Sequence, residues 1–342
     1  MRFRFKPTTV QRVALRAQLV RFDQPAVVLE ILRPVLPAGF KTADILCTVQ
    51  SVHPDRFVTR VQARSETGED RAYALKVYSD DFVERVWTHS QALAEHTQPE
   101  YGGICTASHY IPQERLLIFP WVEGEFLSEI VDERKPELLT VAAKVAADLH
   151  RLPIVPEELT TAQMLFDETR ARSDRLLLRW PENRAIIEPL MAALLEALPL
   201  LDPAEPAPVH GDMAARQFLW TGDRLALLDL DMFGYTDPAY DVGHFLAQLE
   251  RRCLVDPTVQ AQAARWLAAL RDAYLAAMPQ VSARNVAFYR GLTLIRKIYT
   301  ICRRGPAESP GTRSTTGLVV VTGQHDEHDW GGREDWRRSL AW

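Results

Sequence analysis

Val209-His210-Gly211-Asp212-Met213-Ala214-Ala215-Arg216-Gln217-Phe218-Leu219-Trp220-Thr221-Gly222-Asp223-Arg224-Leu225-Ala226-Leu227-Leu228-Asp229-Leu230-Asp231 is the most informative stretch of this chain. It emerges from an approach studded with Pro199, Pro203, Pro206 and Pro208, which no helix or central strand tolerates. Phe218-Leu219-Trp220 and Leu225–Leu228 are short apolar runs flanking the turn residues Thr221-Gly222-Asp223, so the segment predicts a small hairpin. Asp212 and Asp229 then issue from adjacent loops. One carboxylate so placed can orient or deprotonate a hydroxyl, and the other can hold a hard divalent cation.

Downstream, Gly234 and Asp237-Pro238-Ala239-Tyr240-Asp241 lead into an apolar helix start at Val242. Upstream, Glu137–His150 carries Leu138, Leu139, Val141, Ala142, Val145, Ala146 and Leu149 at helical spacing, and Pro153 ends it. Further helices are expected at 160–179, 184–198, 258–278 and 283–303. Ahead of this helical region the pattern is β. Ile45–Val52, Phe57–Ala63 and Tyr73–Tyr78 are separated by His53-Pro54-Asp55 and by the polar Glu66–Asp70, which predicts an antiparallel meander. A helix from about 81 to 95 and a strand at Leu116–Phe119 complete that part.

The expected division is an N-terminal extension at 1–40, a β-rich lobe at 41–122, a helical lobe at 123–304 and a polar tail at 305–342. Within the extension, Gln11–Leu36 has the weak periodicity of one or two helices.

A net charge of −5 gives no basic field for nucleic acid, so that class of partner is not expected. Cys47, Cys105, Cys253 and Cys302 form no Cys-x-x-Cys pair, so neither a disulfide framework nor a zinc site is expected. Arginines interrupt the N-terminus where a signal peptide needs an apolar stretch, and no run of about 18 apolar residues is present to span a bilayer. A cytoplasmic protein with no membrane partner is the expectation.

The order of several motifs carries a resemblance. His210-Gly211-Asp212, the position five residues after the Asp, and Leu227-Leu228-Asp229 one hairpin later resemble the aminoglycoside phosphotransferase and choline kinase superfamily. Asp237-Pro238-Ala239-Tyr240-Asp241, Leu149-His150-Arg151-Leu152-Pro153, the linker Trp121-Val122-Glu123-Gly124-Glu125-Phe126-Leu127 and the strand Tyr73-Ala74-Leu75-Lys76-Val77-Tyr78 are similar to further segments of that superfamily. These matches run from about Ile45 to Arg304 in the expected order.

The resemblance implies an α+β, protein-kinase-like two-lobe fold, with a small antiparallel β-rich N-lobe and a larger, mainly helical C-lobe. It implies transfer of a phosphoryl group from ATP or GTP to a hydroxyl of a small molecule, with Mg²⁺ as cofactor. Asp212 becomes the base with Arg216 beside it, and Asp229, Asp231 and Gln217 the metal positions. Lys76 takes the nucleotide phosphates, Glu84 is the nearest residue to hold the lysine, with Gln91 and Glu95 as alternatives, and Phe119, Trp121 and Val122 border the nucleotide. His210 and Asp241 become structural supports.

Three departures stand out. Gln217 occupies the usual Asn position, though its amide oxygen is still a hard donor. Ala214 replaces a polar residue two places after the base. The Val49–Phe57 hairpin has no glycine for close backbone approach to phosphates.

Plainer readings stand beside these. Asp212 and Asp229 also suit turn and strand-end positions, and Asp231 reads equally as metal support or loop acid. Lys76 suits an exposed strand and Trp121 suits packing. Arg290, Arg296, Lys297, Arg303 and Arg304 read as a solvated helix face rather than an anion site. Two other functions are consistent with the residues. One is a pseudokinase-like nucleotide binder, and the other is a metal-dependent phosphohydrolase using His210, Asp212, Asp229 and Asp231.

Overall fold

The computed structural model describes residues 7–96 and 102–304, without the side chains of Val255 and of residues 299–304. The tail expected at 305–342, and the side chains of Arg303 and Arg304, lie outside the described residues.

The first part of the chain forms α1 (Thr9–Phe22), α2 (Pro25–Leu32), β1 (Thr42–His53), β2 (Arg56–Ser65), β3 (Asp70–Tyr78), α3 (Phe82–Ala94), β4 (Gly102–Ile104), β5 (His109–Ile111) and β6 (Leu116–Pro120). The middle forms β7 (Glu125–Phe126), α4 (Lys135–His150), α5 (Ala162–Arg179), α6 (Arg184–Ala197), β8 (Ala207–Val209), β9 (Phe218–Trp220), β10 (Leu225–Leu227) and β11 (Gly234–Thr236). Three helices close it: α7 (Ala239–Val255), α8 (Ala263–Ala277) and α9 (Ala283–Arg304). This is a protein-kinase-like fold, and the described chain falls into two compact units. One comprises 7–95 and 105–123, the other 96, 102–104 and 124–304.

In the first unit, a five-stranded antiparallel sheet runs in the order β1-β2-β3-β6-β5. Strict alternation in β2 buries Phe57, Thr59, Val61, Ala63 and Ser65 and turns Arg56, Val58, Arg60, Gln62 and Arg64 outward. The N-terminal residues pack directly on this sheet. A capping box of Thr8 and Gln11 starts α1, and Leu15, Leu19, Phe22, Val28 and Leu32 join Phe57, Val61, Leu75, Val77, Leu116 and Ile118 in one core. Phe22 meets Phe57 edge to face at 5.7 Å between centroids. A second core on the α3 side gathers Tyr78, Val83, Val86, Ala107 and Leu117.

In the second unit, β4, β10, β9 and β7 form a four-stranded sheet in which only the β4–β10 pair is parallel. β8 and β11 pair antiparallel, with Val209 opposite Gly234. Around them α4 packs on α8, and α7 on α9. The α7–α9 crossing is close because Gly243 lacks a side chain. A Cβ there would lie 2.7 Å from Tyr289 Cβ and 2.8 Å from the Arg290 nitrogen. Two expectations change here. The region after Asp237 is a full helix through Val255, and the helix expected from 258 begins only at Ala263. Asp256 explains the delay, since its carboxylate accepts from the Thr258 amide at 3.0 Å and its hydroxyl at 2.6 Å, holding that segment in a turn.

Candidate active site

The site in the helical unit is built around a buried carboxylate. β8 delivers Val209, and the chain then turns at Gly211 with φ of +83°, a conformation glycine adopts without steric cost. The two backbone amides exposed by that turn are both taken by Asp241 of α7. His210 N–H donates to Oδ2 at 2.6 Å and Gly211 N–H to Oδ1 at 2.8 Å. His150, the last residue of α4, adds its Nε2 to Asp241 Oδ2 at 3.1 Å and places Nδ1 2.7 Å from the Tyr274 hydroxyl of α8. Burial alone would raise the Asp241 pKa, but the hydrogen bond and field of His150 and the Gly211 amide outweigh it and hold it below the usual carboxylate range.

His210 ties this loop to the next one. Its Nδ1 accepts from the Asp212 amide at 3.2 Å, which leaves Nε2 to donate to the Leu228 carbonyl at 2.8 Å. The Leu228 amide in turn donates to the Gln217 carbonyl at 2.8 Å. Both the His210-Gly211-Asp212 loop and the Gln217 turn are thereby fastened to the residue preceding Asp229. Asp229 itself sits at φ 63°, ψ 66°, a left-handed conformation that a non-glycine residue adopts at a cost on the order of 1 kcal/mol. That backbone opens the short turn Leu230–Met232, in which Asp231 is buried.

Asp212 keeps 30% of its side-chain surface open. Arg216 donates to its Oδ2 at 2.6 Å, and His244 Nε2 lies 3.2 Å from its Oδ1. Burial pushes the Asp212 pKa up, but the His244 hydrogen bond and the charges of Arg216, His244 and Lys297 pull it well below the ordinary value. This carboxylate is ionised at neutral pH, so its chemical capacity is to align a hydroxyl and accept its proton late in a reaction. His244 is shifted down, first by burial and then by Lys297 and Arg296, against the pull of Asp212. Its Nε2 faces both Asp212 Oδ1 and, at 3.1 Å, the side-chain amide of Gln248.

His150, His244 and Tyr274 were not singled out as site residues by the motifs. His244 had a usable signal, since it follows Asp241 by three residues and so shares its helix face. His150 lay in the Leu149–Pro153 segment and Tyr274 in no motif, and only tertiary packing brings 150, 241 and 274 together.

In the sheet unit, Lys76 and Tyr78 share one face of β3 while Leu75 and Val77 share the other. Lys76 is 8% exposed, with Nζ 5.5 Å from the centre of the Tyr78 ring. It is not the exposed strand lysine of the plainer reading. Glu84 lies on the exposed face of α3, whose buried residues are Val83, Val86, His89, Ser90 and Leu93. Phe119 packs against the α3-side core. Trp121 lies under the Arg60 guanidinium at 4.5 Å, and Val122 is half-buried after it.

Among the described residues, no three His, Cys, Asp or Glu side chains gather as a metal-ligand set. Asp229, Asp231 and the Gln217 side-chain amide carry hard oxygen donors, and Asp231 and Gln217 are buried. That suits Mg²⁺, which takes one or two carboxylates and completes its shell with water and substrate phosphates.

Residues 51–284 match the model described as the phosphotransferase enzyme family. No curated protein matches the chain. Among solved structures, a choline/ethanolamine kinase family protein from Mesorhizobium loti is 16% identical, with 84% of this chain and 90% of that one covered at a TM-score of 0.53. The choline kinase LicA from Streptococcus pneumoniae is 11% identical, with 83% and 92% covered at 0.53. The amicoumacin kinase hAmiN is 12% identical, with 83% and 86% covered at 0.52.

Proposed function

The chain belongs to the phosphotransferase enzyme family, a family of small-molecule kinases, and from that premise we propose that it moves the γ-phosphoryl group of ATP or GTP to a hydroxyl of a small molecule. The observation that carries this reading is the pair of hydrogen bonds at Leu228. They fix the Asp212 loop and the Gln217 turn to the residue before Asp229, so a hydroxyl-orienting carboxylate and a metal-holding one are set by a single hairpin.

Asp212 accepts a hydrogen bond from the acceptor hydroxyl and takes its proton as the oxygen–phosphorus bond forms and the bond to the leaving nucleoside diphosphate breaks. Its depressed pKa suits a loose transition state, in which alignment matters more than strong basicity. Arg216, on the neighbouring Asp212 oxygen, is within reach of charge developing on the transferred group. Asp229, Asp231 and Gln217 would hold Mg²⁺, whose charge offsets that of the phosphates when bound. Lys76 takes the α- and β-phosphates. Asp241 and His210 keep the loop in place and do not touch the reacting atoms.

One observation favours a slower protein. The short Arg216–Asp212 contact engages the base directly, as a nucleotide binder with little turnover would allow. The phosphohydrolase reading loses its histidine ligand, since both His210 ring nitrogens are already used.

Incubation with ATP, Mg²⁺ and a panel of sugars, amino alcohols, hydroxy acids and aminoglycosides tests the proposal, with phosphorylated product read by mass. Product with the wild type and none with Asp212→Ala, with nucleotide binding kept, is the expected result. Nucleotide binding with no product across the panel would favour the slow binder. Phosphate release without nucleotide would overturn both.

A further inference from the structure

α7 carries Asp241, His244 and Gln248 at i, i+3 and i+7, so their side chains rise in one row along a single helix face. Asp241 is taken up by the loop amides, and the other two continue the row to the base. His244 Nε2 lies 3.2 Å from Asp212 Oδ1, and the Gln248 side-chain amide lies 3.1 Å from the same nitrogen. Both residues are buried. Met213 and Ala214, which follow Asp212 in the loop, are buried too and bring it no side-chain donor. The imidazole is also held across its ring. It lies against Tyr240, with centroids 6.0 Å apart, and the Tyr240 hydroxyl accepts from Arg296 Nη1 at 3.1 Å. With only 12% of its side chain open, Arg296 is turned into the fold, which corrects its reading as part of a solvated basic face.

One ring nitrogen cannot serve both neighbours in the same way. Toward an ionised carboxylate oxygen Nε2 must donate, whereas toward an amide N–H it must accept. Asp212 is held ionised by its surroundings, so a lone pair aimed at Oδ1 from 3.2 Å would be repelled. A carboxamide, by contrast, exchanges donor for acceptor by a half-turn without changing its shape. Gln248 Oε1 is buried and, among the described residues, receives no hydrogen bond, and that half-turn brings it onto a hydrogen carried by Nε2. Asp212 Oδ1 and Gln248 Oε1 then share one N–H as a three-centre bond. His244 Nδ1 is likewise buried and unbonded among the described residues, so a hydrogen placed there would meet no acceptor.

We infer that His244 is a positioning residue for the transfer: as the Nε2–H tautomer, fixed by the Gln248 oxygen, it holds Asp212 Oδ1 while Arg216 holds Oδ2, and so sets the plane in which the carboxylate meets the acceptor hydroxyl. Each carboxylate oxygen keeps a second lone pair for that hydroxyl. Alignment of this kind is what a weakly basic carboxylate contributes to the reaction. The role in transfer rests on the phosphotransferase reading, while the tautomer rests on the three side chains alone.

The tautomer is read from the ring-nitrogen chemical shifts of the full chain carrying isotope-labelled histidine at neutral pH, the signal of residue 244 being assigned by its loss in His244→Gln. A protonated Nε2 with a bare Nδ1 is expected. A protonated Nδ1 with a bare Nε2 would overturn the inference whether or not the protein turns over. Turnover is then measured at saturating Mg²⁺, with the acceptor found by the panel above or as hydrolysis of ATP by water. His244→Phe keeps a ring and removes both nitrogens. It should lower kcat about tenfold to a hundredfold and leave the KM for ATP within about twofold. His244→Gln, whose amide nitrogen reaches about as far as Nε2, should recover most of that loss. Gln248→Leu should cost less, about threefold in kcat. Thermal unfolding of each variant separates a lost fold from lost transfer. An unchanged kcat in His244→Phe, or a folded His244→Gln as slow as His244→Phe, would overturn the positioning role. A wild type with no turnover would sink the phosphotransferase reading and that role with it, whereas the nitrogen shifts judge the tautomer independently.

Discussion

The His210-Gly211-Asp212 loop of the helical unit and the Lys76 strand of the sheet unit are fixed by different physics. In the first, both backbone amides of His210-Gly211 and both His210 ring nitrogens have named partners, and Asp241 among those partners is itself tied to α4 and α8 through His150. In the second, Lys76 is placed by the alternation of β3, which carries its neighbours to defined faces without prescribing what the ammonium meets. A buried polar network constrains residue identity, because leaving one member unpaired costs the full desolvation of the others. A strand constrains only polarity and parity. Substitutions should therefore be tolerated very differently in the two places.

The largest effect is expected at Asp241. Asp241→Ala leaves two buried amides and His150 without their acceptor, and should destabilise the fold by about 3–5 kcal/mol. Chemical denaturation measures it, and a loss below about 1 kcal/mol would show that the loop does not depend on this node.

Next in size is Lys76→Met, which keeps the length and apolar stem of the side chain. It should weaken nucleotide binding by about tenfold to a hundredfold with little change in stability. Titration with a fluorescent nucleotide reads the first quantity and thermal unfolding the second. A variant that binds nucleotide normally would remove Lys76 from the site.

A smaller effect separates the two units through pH. The pKa values of Asp212 and Asp241 are lowered in the fold, so their contribution is full above the unfolded value of 3.8 and is lost as pH falls below it. His244 is also lowered, from 6.5, so the unfolded chain takes up its proton first and stability starts to fall as pH drops below that value. Denaturation midpoints should decline between pH 6.5 and 5, and His244→Phe should flatten that part of the curve. An unchanged slope in the variant would assign it to another group. Smallest of all is Glu84→Gln, expected to leave nucleotide affinity within about twofold because the residue is exposed. A tenfold loss would bring Glu84 back as the partner of Lys76.

Much of the fold was legible because its periodicities are local. The meander, α3, α4, α5, α6 and α9 all lie within a few residues of their expected spans, and His210-Gly211-Asp212 and Asp229 sit on the hairpin that the Thr221-Gly222-Asp223 turn announced. The strands β4, β5 and β7 were not legible. Each has two or three residues, too few for alternation to register, and β4 exists only because β10 pairs with it across a long separation. The node of His150, Asp241 and Tyr274 was hidden for the same reason. Two of its members lay in motifs noted separately, and nothing in either motif says that they touch. Arg296 shows the opposite failure, since a helix rich in basic residues looks solvated from sequence until packing shows which side each one takes.

The central claim is that one hairpin holds both the hydroxyl-orienting carboxylate and the metal-holding one. Titration of ATP with and without Mg²⁺ into the wild type, Asp212→Asn and Asp229→Asn tests it most directly, because it needs no knowledge of the acceptor. Mg²⁺ should strengthen ATP binding to the wild type and to Asp212→Asn alike, and should lose that effect in Asp229→Asn. Mg²⁺-dependent binding that survives Asp229→Asn, or that disappears in Asp212→Asn, would contradict the account.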